Sequence, residues 1–257
     1  MNKAVGDKME KVMIEAKNIQ KSFGENVILK DISFQIKQGE FVAIMGQSGC
    51  GKSTLLYCVS GMDRLSAGEI IFRGRKLTEL SDKDMEKQRL LNMGFIFQKA
   101  NFLKTFSIKD NIIFPAFQAA KRPRDEIVKE AENLMDHMGI LSVATQDIRT
   151  VSGGQLQRAA ICRAMINHPD ILFGDEPTGA LNSSATKEVM DILGEINRQG
   201  MTILLVTHDA KVAARADRVI YLEDGSIKSE FSLGRFEKEE EKEREKRLST
   251  WLSEMGF

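Results

Sequence analysis

Apolar and polar residues alternate along Ile32-Ser33-Phe34-Gln35-Ile36-Lys37, the period of a strand with one buried face. Phe41-Val42-Ala43-Ile44-Met45 is instead continuously apolar, which suits a strand covered on both faces. Residues 68–72 read as another short strand, so the first hundred residues are mostly strands and turns. From Asp82 to about Pro169 the pattern turns helical. Ile127, Ala131, Leu134, Met135 and Met138 fall on one face, with Pro123 near the start of that helix and Gly139 as its stop. A further helix is predicted from Gly154 to Asn167, ahead of Pro169. Strand character returns at 171–174 and at 201–206. Between them a helix carries Val189, Met190, Leu193 and Ile196 on one stripe and ends at Gly200. Strands separated by helices imply a parallel sheet with crossover helices. The expected fold class is therefore α/β: a domain over residues 1–230, with a helical subdomain, about 99–165, inserted between strand-rich halves. No internal repeat is visible.

Residues 236–247 are nearly all charged, and Leu248, Trp251, Leu252 and Met255 follow at i, i+3, i+4 and i+7. This predicts an amphipathic helix in a C-terminal extension, 231–257, its charged half supported by Glu240–Arg244 and Glu243–Arg247 pairs. Over 257 residues, 37 Lys and Arg balance 37 Asp and Glu. No overall basic excess points to nucleic acid or anionic lipid, though a local patch stays open. The three cysteines, Cys50, Cys58 and Cys162, are odd in number and form no C-x-x-C pair. Reduced thiols therefore fit better than a disulfide framework or a zinc site. Residues 1–17 are polar and mixed in charge, so no signal peptide is expected there. The longest apolar runs fall far short of the about 20 residues that span a bilayer. Service to a membrane would go through docking on a partner.

Gly46-Gln47-Ser48-Gly49-Cys50-Gly51-Lys52-Ser53 fits G-x-x-x-x-G-K-[ST], after a buried strand and before the helical-looking stretch that begins at Thr54. Glycines let successive N–H groups turn toward one point, and the helix adds its positive end. Lys52 would bring a point charge to β- and γ-phosphates, and the Ser53 hydroxyl would ligate Mg2+. A glycine-rich turn with no ligand is the plainer alternative. The strand 171–174 runs into Asp175-Glu176, at the kind of strand end where open α/β sheets bind ligands. Asp175 would hold Mg2+ through water and Glu176 would polarise an attacking water. Alternation along a strand would point the two opposite ways. An exposed acid pair is the alternative. His208, after the strand 201–206, is either structural or placed to reach a γ-phosphate. Ser152-Gly153-Gly154-Gln155 opens a helix whose clear N–H groups and dipole favour an anion, unless Ser152 is only a cap.

Taken in order, Gly46–Thr54, Gln98, Val151–Gln155, 171–176, Ala180–Ser183 and His208 resemble the ABC ATPase family over roughly residues 12–230. The resemblance implies a P-loop NTPase core with an antiparallel β subdomain and the inserted helical subdomain; the charged C-terminal helix lies outside the shared core. It implies ATP and Mg2+ as ligands, and a head-to-tail dimer of two copies sandwiching two ATP. Ser152, Gly153, Gly154 and Gln155 would then cap the γ-phosphate held by the other copy. Gln98 resembles the glutamine that senses Mg2+ and links the sheet to the helical subdomain. Phe23 stands where an aromatic stacks on adenine, or else is a strand-end core residue. Residues 98–112 and 176–182 look like one subgroup, the bacterial ATP subunits of macrolide-exporter, lipoprotein-releasing and bacitracin-resistance (antimicrobial peptide) type systems. That likeness implies a separate integral membrane permease as partner, a place on the cytoplasmic face of the membrane, and ATP hydrolysis driving export or release. No nucleic-acid partner is expected. A soluble ABC ATPase uncoupled from transport is the alternative. Three positions depart from the family pattern: Val151 for Leu, Leu156 after the glutamine, and Asn182 for Asp. Asn182 keeps the hydrogen-bonding shape and loses the charge, which leaves coupling between sites open. The apolar stripe of the C-terminal helix would pack on its own domain, the dimer mate or the permease.

Overall fold

A computed structural model describes residues 11–257. The first ten residues of the expected domain, with most of the segment weighed as a signal peptide, lie outside the described residues. The larger of two sheets has the strand order β10-β9-β3-β8-β7-β6. Five strands are parallel: β3 (Phe41–Met45), β6 (Met93–Phe97), β7 (Ile171–Asp175), β8 (Thr202–Val206) and β9 (Arg218–Glu223). The sixth, β10 (Ser226–Ser232), returns antiparallel along β9. The smaller sheet is antiparallel in the order β2-β1-β4-β5, from β1 (Val12–Phe23), β2 (Asn26–Lys37), β4 (Ala67–Phe72) and β5 (Arg75–Lys76).

Two apolar cores explain the unbroken hydrophobic run of β3. Val42 and Ile44 face a core shared with the small sheet and α1 (Lys52–Val59). Phe41, Ala43 and Met45 face a second core on the other side of the sheet. That second core is built with α3 (Ile108–Ala119), α4 (Arg124–His137), α5 (Gly153–Met165) and α6 (Ser183–Arg198). Gly139 and Gly200, at φ 64° and 102°, adopt the left-handed geometry that closes α4 and α6 without a Cβ penalty.

The stretch 82–169 is not uniformly helical. After α2 (Asp82–Asn92) the chain forms β6, paired with β7 from Met93 opposite Ile171 to Phe97 opposite Asp175. Gly94 makes this edge possible. A Cβ there would sit 2.5 Å from Leu172 Cδ2 and 2.6 Å from the Ala164 carbonyl, so only glycine lets α5 lie this close. Phe95 stacks on Phe173 at 5.4 Å.

The C-terminal helix α8 (Glu241–Glu254) packs on its own domain. Leu248 and Leu252 are buried, and Trp251 stacks on Phe231 at 5.2 Å and meets Tyr221 edge-on at 6.1 Å. The expected Glu240–Arg244 pair does not form. Arg244 is fully buried, and its guanidinium donates to the carbonyls of Ala214, Ala216, Leu233, Gly234 and Arg235 at 2.7–3.0 Å. An i, i+4 ion pair needs an exposed face; here that face is turned inward. Arg247 lies over the Phe231 ring. Beside Arg244, Arg215 binds Asp191 of α6 and Glu241 of α8 at 2.9 and 2.6 Å.

Candidate functional site

Four strand ends come level in this sheet. Phe97, Asp175 and Val206 are in register across β6, β7 and β8, and Val206 pairs with Ile44 of β3. The loop from Gly46 to Gly51 leaves β3 and enters α1 at Lys52. Gly46, at φ 152°, has no room for a side chain, since a Cβ would lie 2.1 Å from the Leu222 carbonyl. Gly49, at φ 81°, faces open space. No side chain caps α1, so its first-turn N–H groups are left for a ligand. Lys52 is buried and folds over the loop, donating to the Gly46 and Gln47 carbonyls at 2.9 and 2.8 Å. Gln47, Ser48, Gly49 and Cys50 line a cleft of about 340 Å³ shared with Val27, Ile28, Lys30 and the turn 223–225, which Lys52, Ser53 and Asp175 do not line. Burial pushes the Cys50 thiol pKa up against the opposing charge of Lys52, and the net shift disfavours the thiolate.

Asp175 closes β7, and both its oxygens are engaged. Oδ1 accepts from Ser53 Oγ at 2.8 Å, and Oδ2 from Tyr57 OH at 2.5 Å. Burial, then the bond to Asp175 and its charge, push the Tyr57 pKa up to about 12, so the phenol remains a donor. Sequence reasoning missed Tyr57. Its signal was spacing: Ser53 and Tyr57 stand i, i+4 on one helix and so share a face.

Glu176 does not continue the strand, which corrects the expectation that pleating divides the two acids. Its φ is 49°, a left-handed conformation rare for a side-chain-bearing residue. Such a backbone costs about 1–3 kcal/mol and clusters at functional sites. Val206 holds the turn by accepting from the Glu176 N–H at 3.0 Å. The carboxylate meets His208 instead, Oε1 to Nδ1 at 2.9 Å. Gln98 follows β6, and its amide nitrogen lies 2.7 Å from where a Cβ on Gly179 would sit. Gln98 therefore rests against the turn that follows Glu176. Phe23 ends β1 with 52% of its surface exposed and Lys21 Nζ 4.5 Å from its ring centroid. That exposure rules out the strand-end core reading.

The second glycine-bearing helix start lies elsewhere. Ser152 and Gln155 form a complete capping box: Ser152 Oγ accepts from the Gln155 N–H at 3.2 Å, and Gln155 Oε1 from the Ser152 N–H at 2.8 Å. Ser152 and Gly153 are exposed, and the nearest atoms to Cβ positions on Gly153 and Gly154 belong to Leu181 and to Ala185 of α6. Among the described residues, no hydrogen bond or ion pair joins residues 152–155 to the 46–54 segment. Asn182 caps α6, its Oδ1 accepting from the Ala185 N–H at 2.9 Å, a bond that needs no charge.

These donors suit a phosphate ligand with magnesium. Ser53 Oγ and Asp175 Oδ1 are hard oxygens beside an uncapped helix start. Mg2+ commonly takes one or two protein oxygens and completes its shell with phosphate and water. No group of three or more His, Cys, Asp or Glu converges among the described residues, so the protein alone offers no cage.

Comparison with known proteins agrees with this geometry. The family model described as ABC transporter matches residues 29–179. The chain is 41% identical over 251 residues to the macrolide export ATP-binding/permease protein MacB of Campylobacter jejuni, covering 95% of this chain and 38% of that protein. It is 39% identical over 227 residues to the bacitracin export ATP-binding protein BceA of Halalkalibacterium halodurans, covering 86% and 89%. The dimeric structure of the bacterial ABC transporter cassette MJ0796 superposes with a TM-score of 0.81 at 37% identity, covering 87% of this chain and all of that one. The same cassette in a post-hydrolysis dimer with ADP and Pi gives 0.80 at 36% identity, with the same coverage.

Proposed function

The chain belongs to the ABC transporter family, and from that premise we propose that it is the ATP-binding and ATP-hydrolysing subunit of a bacterial export system. On this reading it pairs head-to-tail with a second copy and drives a separate membrane permease. The observation that carries the proposal is the division of the anion-binding parts. The 46–51 cradle and the Ser152 helix start are both built, yet among the described residues no hydrogen bond or ion pair joins them within a single chain. A second copy would bring them together over the same phosphate, as dimers of the related cassette invite.

The roles follow from the positions. Backbone N–H groups of residues 46–54 hold the phosphates, and Lys52 leaves two neutral carbonyls for charge-assisted bonds. Ser53 and Asp175 would hold Mg2+, which Gln98 would sense, and bound there it would supply charge neutralisation for the phosphates. Glu176 orients the attacking water and His208 fixes that carboxylate. Phe23 stacks on adenine. Ser152, Gly153, Gly154 and Gln155 cap the nucleotide of the other copy. Among the described residues no helix is long and apolar enough to cross a membrane, so attachment would be peripheral, on the cytoplasmic face. Docking would use the groove of about 930 Å³ beside the β6 edge, which is lined by Phe97, the residue before Gln98. Relatives named for macrolide and bacitracin export favour an antibiotic or peptide cargo.

Glu176→Gln tests the reading. It should keep ATP binding, slow hydrolysis by about 10²–10⁴ and trap a dimer in ATP and Mg2+, seen by light scattering. Hydrolysis at the parent rate, or a monomer both in solution and on the permease, would refute it.

A further inference from the structure

Phe23 is exposed, yet the cation that faces it is not. Lys21 and Phe23 stand i, i+2 at the end of β1, a spacing that lets both side chains leave one face of the strand. Lys21 is only 8% exposed. Its ammonium donates to Asp63 Oδ1 at 2.7 Å and to the Arg64 carbonyl at 2.8 Å, and it lies over the Phe23 ring, 4.5 Å from the centroid. Among the described residues no third acceptor is bonded to this three-donor group, and the ring face is left to it.

A buried ammonium is costly unless paired, and an apolar side chain could fill the same space without that cost. The Asp63 bond offsets the burial, and the ring gives the charge a use. A cation over one face of an aromatic ring attracts its π density. The opposite face is then less negative, which favours stacking against an electron-rich purine. The same ammonium fixes where the ring stands. Asp63 and Arg64 follow α1, and the Met62 and Asp63 N–H groups both donate to the Tyr57 carbonyl, at 2.8 and 3.0 Å. The helix α1 starts at the 46–51 loop. Lys21 therefore ties the strand that carries Phe23 to the far end of the helix that leaves the cradle. The neighbouring Ser22 N–H donates to Ser66 Oγ at 3.0 Å, which steadies the backbone and leaves the ring alone.

We propose that Lys21 is a positioning residue for the nucleoside: from behind the Phe23 ring it holds and polarises the platform on which adenine stacks. The inference rests on the ATP reading above and adds the group that sets affinity for the base, apart from the phosphates.

The test measures, by calorimetry on the full chain with Mg2+, the affinities of ATP and of inorganic tripolyphosphate, which has phosphates and no base. Lys21→Met should weaken ATP by about threefold to tenfold and leave tripolyphosphate within about twofold of the parent. Lys21→Arg should restore most of the ATP affinity, because a guanidinium also stacks on a ring face. In a Phe23→Ala chain, itself weaker for ATP, Lys21→Met should have no further effect. Where Lys21→Met alone does not fold, Lys21→Met with Asp63→Asn removes both charges and carries the same comparison. Four results overturn the role of Lys21: equal losses for ATP and tripolyphosphate, unchanged ATP affinity, an Arg variant no better than Met, or the full loss persisting without the Phe23 ring. Parent ATP affinity in Phe23→Ala overturns the stacking platform and this proposal with it. A parent chain that binds neither ligand overturns the ATP reading itself.

Discussion

Tyr57→Phe removes one oxygen from the site, and its main effect should fall on magnesium, not on nucleotide. Asp175 is held at both ends, Oδ1 by Ser53 and Oδ2 by Tyr57. The phenol therefore fixes the rotation that keeps Oδ1 beside the Ser53 hydroxyl. A hydrogen bond to a charged acceptor contributes about 1.5–3 kcal/mol. Asp175 is only partly buried, so water can replace some of the lost bond. What remains is the orientation of a metal-binding carboxylate, and losing such an outer partner costs about 10–100-fold in metal affinity. The Mg2+ midpoint for ATPase activity should rise by that factor. ATP affinity measured by calorimetry in EDTA should not move, since Tyr57 lies outside the 46–51 loop. With the Tyr57 pKa near 12, the phenol stays a donor from pH 6 to 9, and the ratio of the two Mg2+ midpoints should be constant over that range. A midpoint within twofold of the parent, or a parallel loss of ATP affinity in EDTA, would refute the positioning role.

Arg244→Met strips five carbonyls of a shared donor; three of these bonds are buried, and leaving a buried acceptor unsatisfied costs about 1–3 kcal/mol each, for a net loss of about 3–5 kcal/mol after partial relaxation. At about 2–4 °C per kcal/mol for a chain of this size, the melting temperature should fall by roughly 6–20 °C, and a change under about 2 °C would contradict the anchoring role. Tyr221→Phe should be neutral or stabilising by up to about 2 kcal/mol, because among the described residues the buried hydroxyl has no hydrogen-bond partner, while the ring keeps its edge-on contacts with Trp251 and Phe257; clear destabilisation in urea melts would reveal a partner. Burial pushes the Cys58 and Cys162 thiols up to about 12, so iodoacetamide at pH 8 should label neither until the protein unfolds.

The elements that were legible in the sequence are those whose burial is local. Each residue of β3 is buried, so its apolar run is unbroken, and α6 shows one stripe because one face packs on the sheet. The strand β6 was hidden. Its five residues sit against a long polar helix, and Gly94 earns its place only through Leu172 and Ala164, distant in sequence. Arg244 was misread for the same reason. Its acceptors come from two stretches, 214–216 and 233–235, which no helical spacing rule brings together. The site motifs were readable as types, while their couplings were not. The left-handed turn at Glu176, its meeting with His208 and the Tyr57 bond all depend on how strand ends align.

That alignment also implies an order of events. The two anion-binding helix starts differ in what they have already satisfied. α1 begins with no side-chain cap and with Lys52 bonded only to neutral carbonyls, so its N–H groups and charge gain fully from a phosphate. α5 begins with a closed capping box, so it is stable without a ligand and gains less from one. On the proposed reading the cradle of a single chain fills first, and the second copy closes over it afterwards, which costs α5 little rearrangement beyond Gln155. Nucleotide affinity of the isolated chain should then be blind to Ser152→Arg, while ATP-dependent pairing and hydrolysis should be lost together. If that substitution weakens ATP binding by the monomer as much as it weakens pairing, the two helix starts already share a pocket within one chain, and the division on which the proposed function rests is wrong.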